Sequence, residues 1–257
     1  MGLWDEKDMS FPEACENLVH AVASKMNIRP NSTVLDVGFG CGDSCIMLAD
    51  QYRAKVMGVT NESSQWRIAN NRLKSSPLKE NISLVHGSAD NLEEVLSAND
   101  TFDHIICIDS AYHYNTRWNF LETVFKKLNQ NGSIGLYDLA IEPDFLHKAT
   151  SLQRRIFQFV CESVHVPIQN LVTVEEYADH LENIGYEGVE IDQLDRNLVF
   201  GGLSHSFDTQ YNAAAKYGIG ISLSNRIFLK VSSFLFGLLR AKPWLVPIIV
   251  KGVKQQQ

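Results

Sequence analysis

Two short stretches of this chain hold residue types able to do chemistry. The first, Asp36-Val37-Gly38-Phe39-Gly40-Cys41-Gly42, sets glycines at every second position between an apolar run and a helix-forming one. Glycine lets a backbone approach a ligand closely, and the first amides of a helix attract negative charge. The spacing is GxGxG, neither the GxGxxG of dinucleotide sites nor the GxxxxGK[ST] of phosphate loops. Asp36 would oppose a phosphate and suits a ligand carrying an amino group; the alternative is a tight turn that holds nothing. The second stretch, Asp109-Ser110-Ala111-Tyr112-His113-Tyr114, follows the apolar run 102–108. His113 is the best candidate base there, since an imidazole titrates near pH ~6.5. Its other use would be to cap the next helix or hold a loop. Asp138, just after the run 133–137, is a second candidate. The remaining histidines show no ligand spacing, so no metal is expected.

Both stretches must sit at the ends of strands. Ser10 with Glu13 three residues later is a capping box that opens an amphipathic helix over 11–26. After it, apolar strands (33–37, 55–59, 82–85, 102–108, 133–137) alternate with helices (43–51, 63–74, 92–96, 117–128). That rhythm implies a parallel sheet covered on both faces, and ligands of such sheets bind beyond the carboxyl ends of the strands. Later segments read as helices (145–164, 174–184, 202–217, 221–239) around a strand at 187–194. A last strand at 245–251 is interrupted by Pro247, which suits an edge or a bulge.

With these residues in place, the chain resembles the class I S-adenosylmethionine-dependent methyltransferases, and among them the small-molecule and lipid subgroup: sterol, tocopherol and alkaloid methyltransferases and cyclopropane fatty acid synthases. The likeness covers 36–140 well and the rest loosely. It implies an α/β, Rossmann-like seven-stranded sheet with helices on both faces, the last strand antiparallel between two others, and helical insertions in the C-terminal half. One methyltransferase domain would span 1–257, with 28–140 binding the cofactor and 141–244 walling the substrate pocket. The resemblance assigns Asp36, Gly38, Phe39, Gly40 and Gly42 to the methionine end of S-adenosylmethionine, and Asp90, with Ser88 and Ala89, to adenine. A helix N-cap is the other reading of Asp90. Asp109 joins the cofactor set. The acid usual for the ribose is missing after the second strand. Thr60, Asn61 and Gln65 would replace it, with Glu62 facing away. His113, assisted by Asp138, would orient or deprotonate the acceptor, and Tyr112 or Tyr114 would line its pocket. Gly2-Leu3-Trp4-Asp5 resembles a Gly-x-Trp segment whose aromatic folds over the cofactor; Trp4 would otherwise be a staple for the helix at Phe11. Asp109-Ser110-Ala111-Tyr112 also resembles the (D/N)PPY motif of amino-group methyltransferases, but lacks both prolines.

Composition narrows the acceptor. The 257 residues are 45% hydrophobic and 21% charged, which fits a globular chain with a sizeable core. A net charge of −7 argues against nucleic acid as partner. Five cysteines without a CxxC, and an acidic N-terminus unlike a signal peptide, suggest a cytoplasmic protein with reduced thiols. Past Asp208 there are seven Lys/Arg and no acid, so the tail carries +7 and the preceding part −14. At about 100° per residue, Arg226, Lys230, Ser233, Gly237 and Arg240 form one narrow stripe on an otherwise apolar helix. Such a helix is core with its charges in water, a lid over an apolar substrate, or a membrane-interface element within 221–244. The expected product cofactor is S-adenosylhomocysteine and the expected acceptor a small apolar or lipid-like molecule. Oligomeric state is open. The alternatives are cyclopropane-synthase-like lipid modification, which Asp109 in place of an expected Glu weakens, and a non-catalytic scaffold of the same fold whose tail binds a membrane or partner.

Overall fold

A computed structural model describes residues 1–6, 9–217 and 222–255. In chain order the elements are α1 (Phe11–Ala23), β1 (Thr33–Val37), α2 (Asp43–Gln51), β2 (Lys55–Thr60), α3 (Ser63–Leu73), β3 (Ile82–His86), α4 (Leu92–Val95), β4 (Phe102–Ile108), α5 (Arg117–Lys127), β5 (Leu128–Ile141), α6 (Pro143–Lys148), α7 (Ser151–Ser163), α8 (Val174–Ile184), β6 (Glu187–Gln193), α9 (Gly202–Lys216), α10 (Leu223–Ala241) and β7 (Leu245–Val253). The strands form one seven-stranded sheet in the order β3-β2-β1-β4-β5-β7-β6. The first five strands are mutually parallel. β7 runs antiparallel between β5 and β6, as expected.

The strand alternation separates two cores. Val34, Val56, Ile106 and Tyr137 pack with Leu18 and Val22 of α1 and Leu48 of α2. Leu35, Ile105, Cys107 and Leu136 pack with Phe120, Leu121 and Val124 of α5 and Tyr177 and Leu181 of α8. Each such side chain contributes about 1.5–3 kcal/mol when fully buried. α1 is opened by the expected capping box: Ser10 Oγ accepts from Glu13 N and the Glu13 carboxylate accepts from Ser10 N.

Several sequence expectations are corrected. The helix read over 145–164 is two helices, because Thr150 and Gln153 form a second capping box that starts α7 afresh. β5 extends well beyond 133–137, since β7 pairs with it from Ser133 to Ile141. Pro247 stands in an interior strand, opposite Leu139 of β5. Its carbonyl accepts from Leu194 N, so its missing N–H faces the side where β6 has run out, and the β5 ladder stays intact. The C-terminal helix expected from 221 begins at Leu223, with Ile221 outside the described residues. Among the described residues no helix is long and apolar enough to cross a membrane.

Candidate active site

The chain passes from β1 outward to β2 and β3, then returns to β4 on the other side of β1. The switch point between β1 and β4 is where an open α/β sheet leaves a crevice. A cavity of about 750 Å³ opens there, bordered by the loops after β1, β2, β3 and β4 and by α1.

The glycine loop forms its floor. Gly38, at φ +84°, donates its N–H to the Val59 carbonyl over 2.8 Å. A Cβ there would stand 2.3 Å from Ser110 Oγ, so only glycine lets β1 and the β4 loop meet. Gly40, at φ +57°, differs: a Cβ would meet nothing within 4 Å. The loop therefore presents bare backbone to open space, beside the first turn of α2. Asp36 does not border this space. It is buried behind the loop, where its Oδ2 accepts from Ser44 Oγ (2.5 Å) and Cys45 Sγ (3.2 Å) of α2. Burial lifts its carboxyl from the ordinary range to about 6, against the pull of those two donors. Asp36 thus fastens the loop to its helix.

The other expected cofactor residues gather around the floor. Phe39, Gly40, Thr60, Asn61, Gln65, Ser88, Ala89, Asp90 and Asp109 all border the cavity. Gly42, at φ +89°, is the turn that starts α2 rather than a lining residue. Thr60 Oγ1 donates to Gln65 Oε1 over 3.2 Å, which ties the end of β2 to α3. Glu62 borders the cavity as well, contrary to expectation, while its Oε1 accepts from Ser64 N and caps α3. Asp90 is not an N-cap: Asn91 precedes α4, and Ser88 caps the 3₁₀ turn 89–91, its Oγ accepting from Asp90 N. The Asp90 carboxylate is left to accept from Asn115 N (2.8 Å) at the cavity rim.

Beyond β4, Asp109 accepts from the Tyr112 hydroxyl and meets the Met1 amino group. Tyr112 is buried and does not border the cavity; Tyr114 does, its hydroxyl 2.7 Å from Ser110 Oγ and directed at the Val37 carbonyl. His113 borders the cavity, and its Nδ1 lies 3.2 Å from the His165 carbonyl oxygen. A carbonyl only accepts, so Nδ1 carries the proton and Nε2 of the neutral ring keeps its lone pair.

Asp138 is elsewhere. It falls in the β5 series Ile134, Leu136 and Ala140, which faces α5 and α8. Its Oδ2 lies 2.9 Å from Arg117 Nη1 and accepts from the Tyr177 hydroxyl at 2.8 Å, and Oδ1 accepts from Leu139 N. Both charged side chains are fully buried. Trp4 is also away from the cavity, packed against Gly202 and Leu203 and in ring contact with Phe11. Met1, Phe11, Cys15 and Val19 take the covering position expected of it. Phe11, an aromatic beginning an amphipathic helix, was the available signal for that cover. No group of three metal-ligating side chains occurs among the described residues.

A mixed sheet in this order, with a glycine loop at its switch point, defines a Rossmann-like methyltransferase-type fold. The chain belongs to the mycolic acid cyclopropane synthetase family, whose model matches residues 2–204. It is 27% identical over 202 residues to erythromycin 3''-O-methyltransferase of Saccharopolyspora erythraea, covering 77% of this chain and 65% of that protein. To the sphingolipid C9-methyltransferase of Komagataella phaffii it is 26% identical over 224 residues, covering 83% of this chain and 45% of the other. The chain thus spans less than two thirds of the length of these relatives. The cyclopropane synthase MmaA2 of Mycobacterium tuberculosis has the same fold, with a TM-score of 0.80 at 16% identity, covering 98% of this chain and 88% of that one.

Proposed function

We propose that this protein transfers a methyl group from S-adenosylmethionine to a small, apolar or lipid-like acceptor. The observation that carries the proposal is the loop at Gly40: bare backbone at positive φ, facing open space on the floor of the cavity, at the helix that follows β1. The family match and the methyltransferases to which the chain is similar support the same reading.

In this proposal residues 28–140 bind the cofactor and 141–244 wall the acceptor pocket. Gly38, Phe39 and Gly40 hold the methionine end, with Gly42 setting the turn and Asp36 bracing it from behind. Thr60, Asn61, Gln65 and Glu62 lie on the ribose side, Ser88, Ala89 and Asp90 on the adenine side, and Asp109 between the cofactor and the acceptor. When bound, S-adenosylmethionine supplies a methyl group on a sulfonium, which leaves readily. What remains for the protein is positioning and, for an acceptor bearing an O–H or N–H, removal of its proton. His113 is suited to that. Its Nε2 would take the acceptor proton, while Nδ1–H stays on the His165 carbonyl. Tyr114 borders the same space. Asp138 and Tyr112 act at one remove: Asp138 by fixing α5 to β5, Tyr112 by holding Asp109. The free cysteines fit a cytoplasmic setting, and the C-terminal helical hairpin is the part suited to a membrane surface.

His113→Ala is the test. Binding of S-adenosylhomocysteine should stay within about twofold of wild type, while turnover falls about 10²–10⁴-fold, the usual contribution of a general base. Loss of binding and turnover together would mean that His113 holds the loop instead.

A further inference from the structure

We infer that the outward face of α10 docks on an anionic lipid bilayer. The inference deepens the lipid-acceptor reading above and rests on it for the choice of a membrane as partner.

α10 leaves a row of apolar side chains in water, while part of its polar stripe meets α9 and the turn before it. Ser232 and Ser233 are buried, and the Ser233 carbonyl accepts from Ser204 Oγ at 2.8 Å. Gly237 lies beside Ser204, and the Arg240 stem lies against Gly201. Lys230 Nζ sits 2.9 Å from Asp208 Oδ1 of α9. Beside the exposed Arg226, Lys230 and Arg240, a row of apolar side chains also faces water. Leu223, Ile227, Val231 and Phe234 recur at i, i+4, i+8 and i+11, which is one stripe of a helix. They are exposed by 73%, 55%, 50% and 69%. Lone exposed apolar residues mean little, but four in register along a helix of 19 residues make a contiguous face.

Charge chooses the partner. The chain before residue 209 is strongly acidic and would be repelled by an anionic surface, whereas the segment after it carries only positive charge. Lys216, Arg226, Arg240 and Lys242 are exposed around α10 and its ends. An apolar stripe edged by cations is the pattern of a helix lying in a bilayer interface, where each nearby Lys or Arg strengthens binding to an anionic leaflet. The hairpin also reaches the cover of the cavity: Leu203 and Phe207 of α9 and Phe236 of α10 cluster with Trp4, Met9 and Met1, and Met1 borders the cavity. A bilayer-bound α10 therefore places the cavity mouth near the membrane, where an apolar acceptor resides.

The test is co-sedimentation of the full chain with phosphatidylcholine vesicles and with vesicles containing about 30 mol% phosphatidylglycerol, at low salt and at about 0.5 M salt. Binding should be at least about tenfold stronger to the anionic vesicles, should fall in high salt, and should fall at least about tenfold in Ile227→Glu/Phe234→Glu. Both side chains are exposed, so the variant should keep the wild-type melting temperature. Absence of binding, equal binding to neutral and anionic vesicles, or binding unchanged by the variant would overturn the inference. So would a wild-type dimer in light scattering that the variant dissociates, because the face would then belong to a second copy. The vesicle assay contains no methyl donor, so its failure is distinct from a failure of cofactor binding or turnover.

Discussion

Replacing Asp138 by Asn separates two roles for this residue, proton acceptor and buried counter-charge. In the structure its Oδ2 takes both the Arg117 guanidinium and the Tyr177 hydroxyl, and its Oδ1 takes Leu139 N–H. An amide has one acceptor oxygen, so its NH₂ must face either Arg117 and Tyr177 or the Leu139 N–H, donor against donor. The guanidinium also stacks over Trp118 at 4.5 Å and Tyr177 at 4.2 Å, and its Nη2 is directed at the Asn170 carbonyl. It cannot reach water. Removing one partner of such a pair costs about 3–5 kcal/mol because the other charge stays buried. For a chain of this size each kcal/mol is about 2–4 °C, so the melting temperature should fall by about 10 °C. Urea unfolding followed by circular dichroism reads the loss directly. Arg117→Met/Asp138→Leu, which removes both charges, should recover most of it. A variant Asp138→Asn that melts like wild type yet loses turnover would refute the counter-charge role and restore Asp138 as a proton acceptor.

Gly38→Val should abolish S-adenosylhomocysteine binding in calorimetry, because a Cβ at φ +84° would lie 2.3 Å from Ser110 Oγ; the circular dichroism spectrum would show the rest of the fold retained. The Asp36 carboxyl titrates near 6 when folded and near 4 when unfolded, so the stability its proton confers is complete below about pH 4 and lost as pH rises through about 6. Two units amount to about 3 kcal/mol. Urea midpoints should thus fall between pH 4 and pH 7 more steeply in wild type than in Asp36→Asn. Thr150→Ala should destabilise by about 1 kcal/mol, the usual worth of an N-cap, if the break before α7 is held by its capping box.

Much of this fold could be read from local pattern. Apolar strands alternating with helices, glycines at 38, 40 and 42, and Ser10 with Glu13 are signals written within a few residues. What could not be read depends on which surfaces meet. The parity of β5 put Asp138 with Leu136 and Ala140, but only the packing of α5 and α8 supplies Arg117 and Tyr177 to meet it. The length of β5 depends on β7, more than a hundred residues away in the chain. The helical period gave the polar stripe of α10 but left open whether the helix is core, lid or membrane-facing. Its charges do stay exposed, while Ser204 and Asp208 of α9, which meet Ser233 and Lys230, could not be assigned as its neighbours from the helical period. Within the site, His113 was recognisable by its place after β4. Its tautomer was not, since that depends on a carbonyl 52 residues farther along.

Methyl transfer itself is tested most directly by incubating the purified protein with methyl-labelled S-adenosylmethionine and a lipid extract, then separating the aqueous and organic phases. Label should appear in the organic phase with wild type and not with His113→Ala, while both bind S-adenosylhomocysteine. Wild-type protein that binds no S-adenosylhomocysteine, or that binds it and labels no acceptor, would contradict the proposed activity; label confined to a water-soluble product would contradict the lipid-like acceptor.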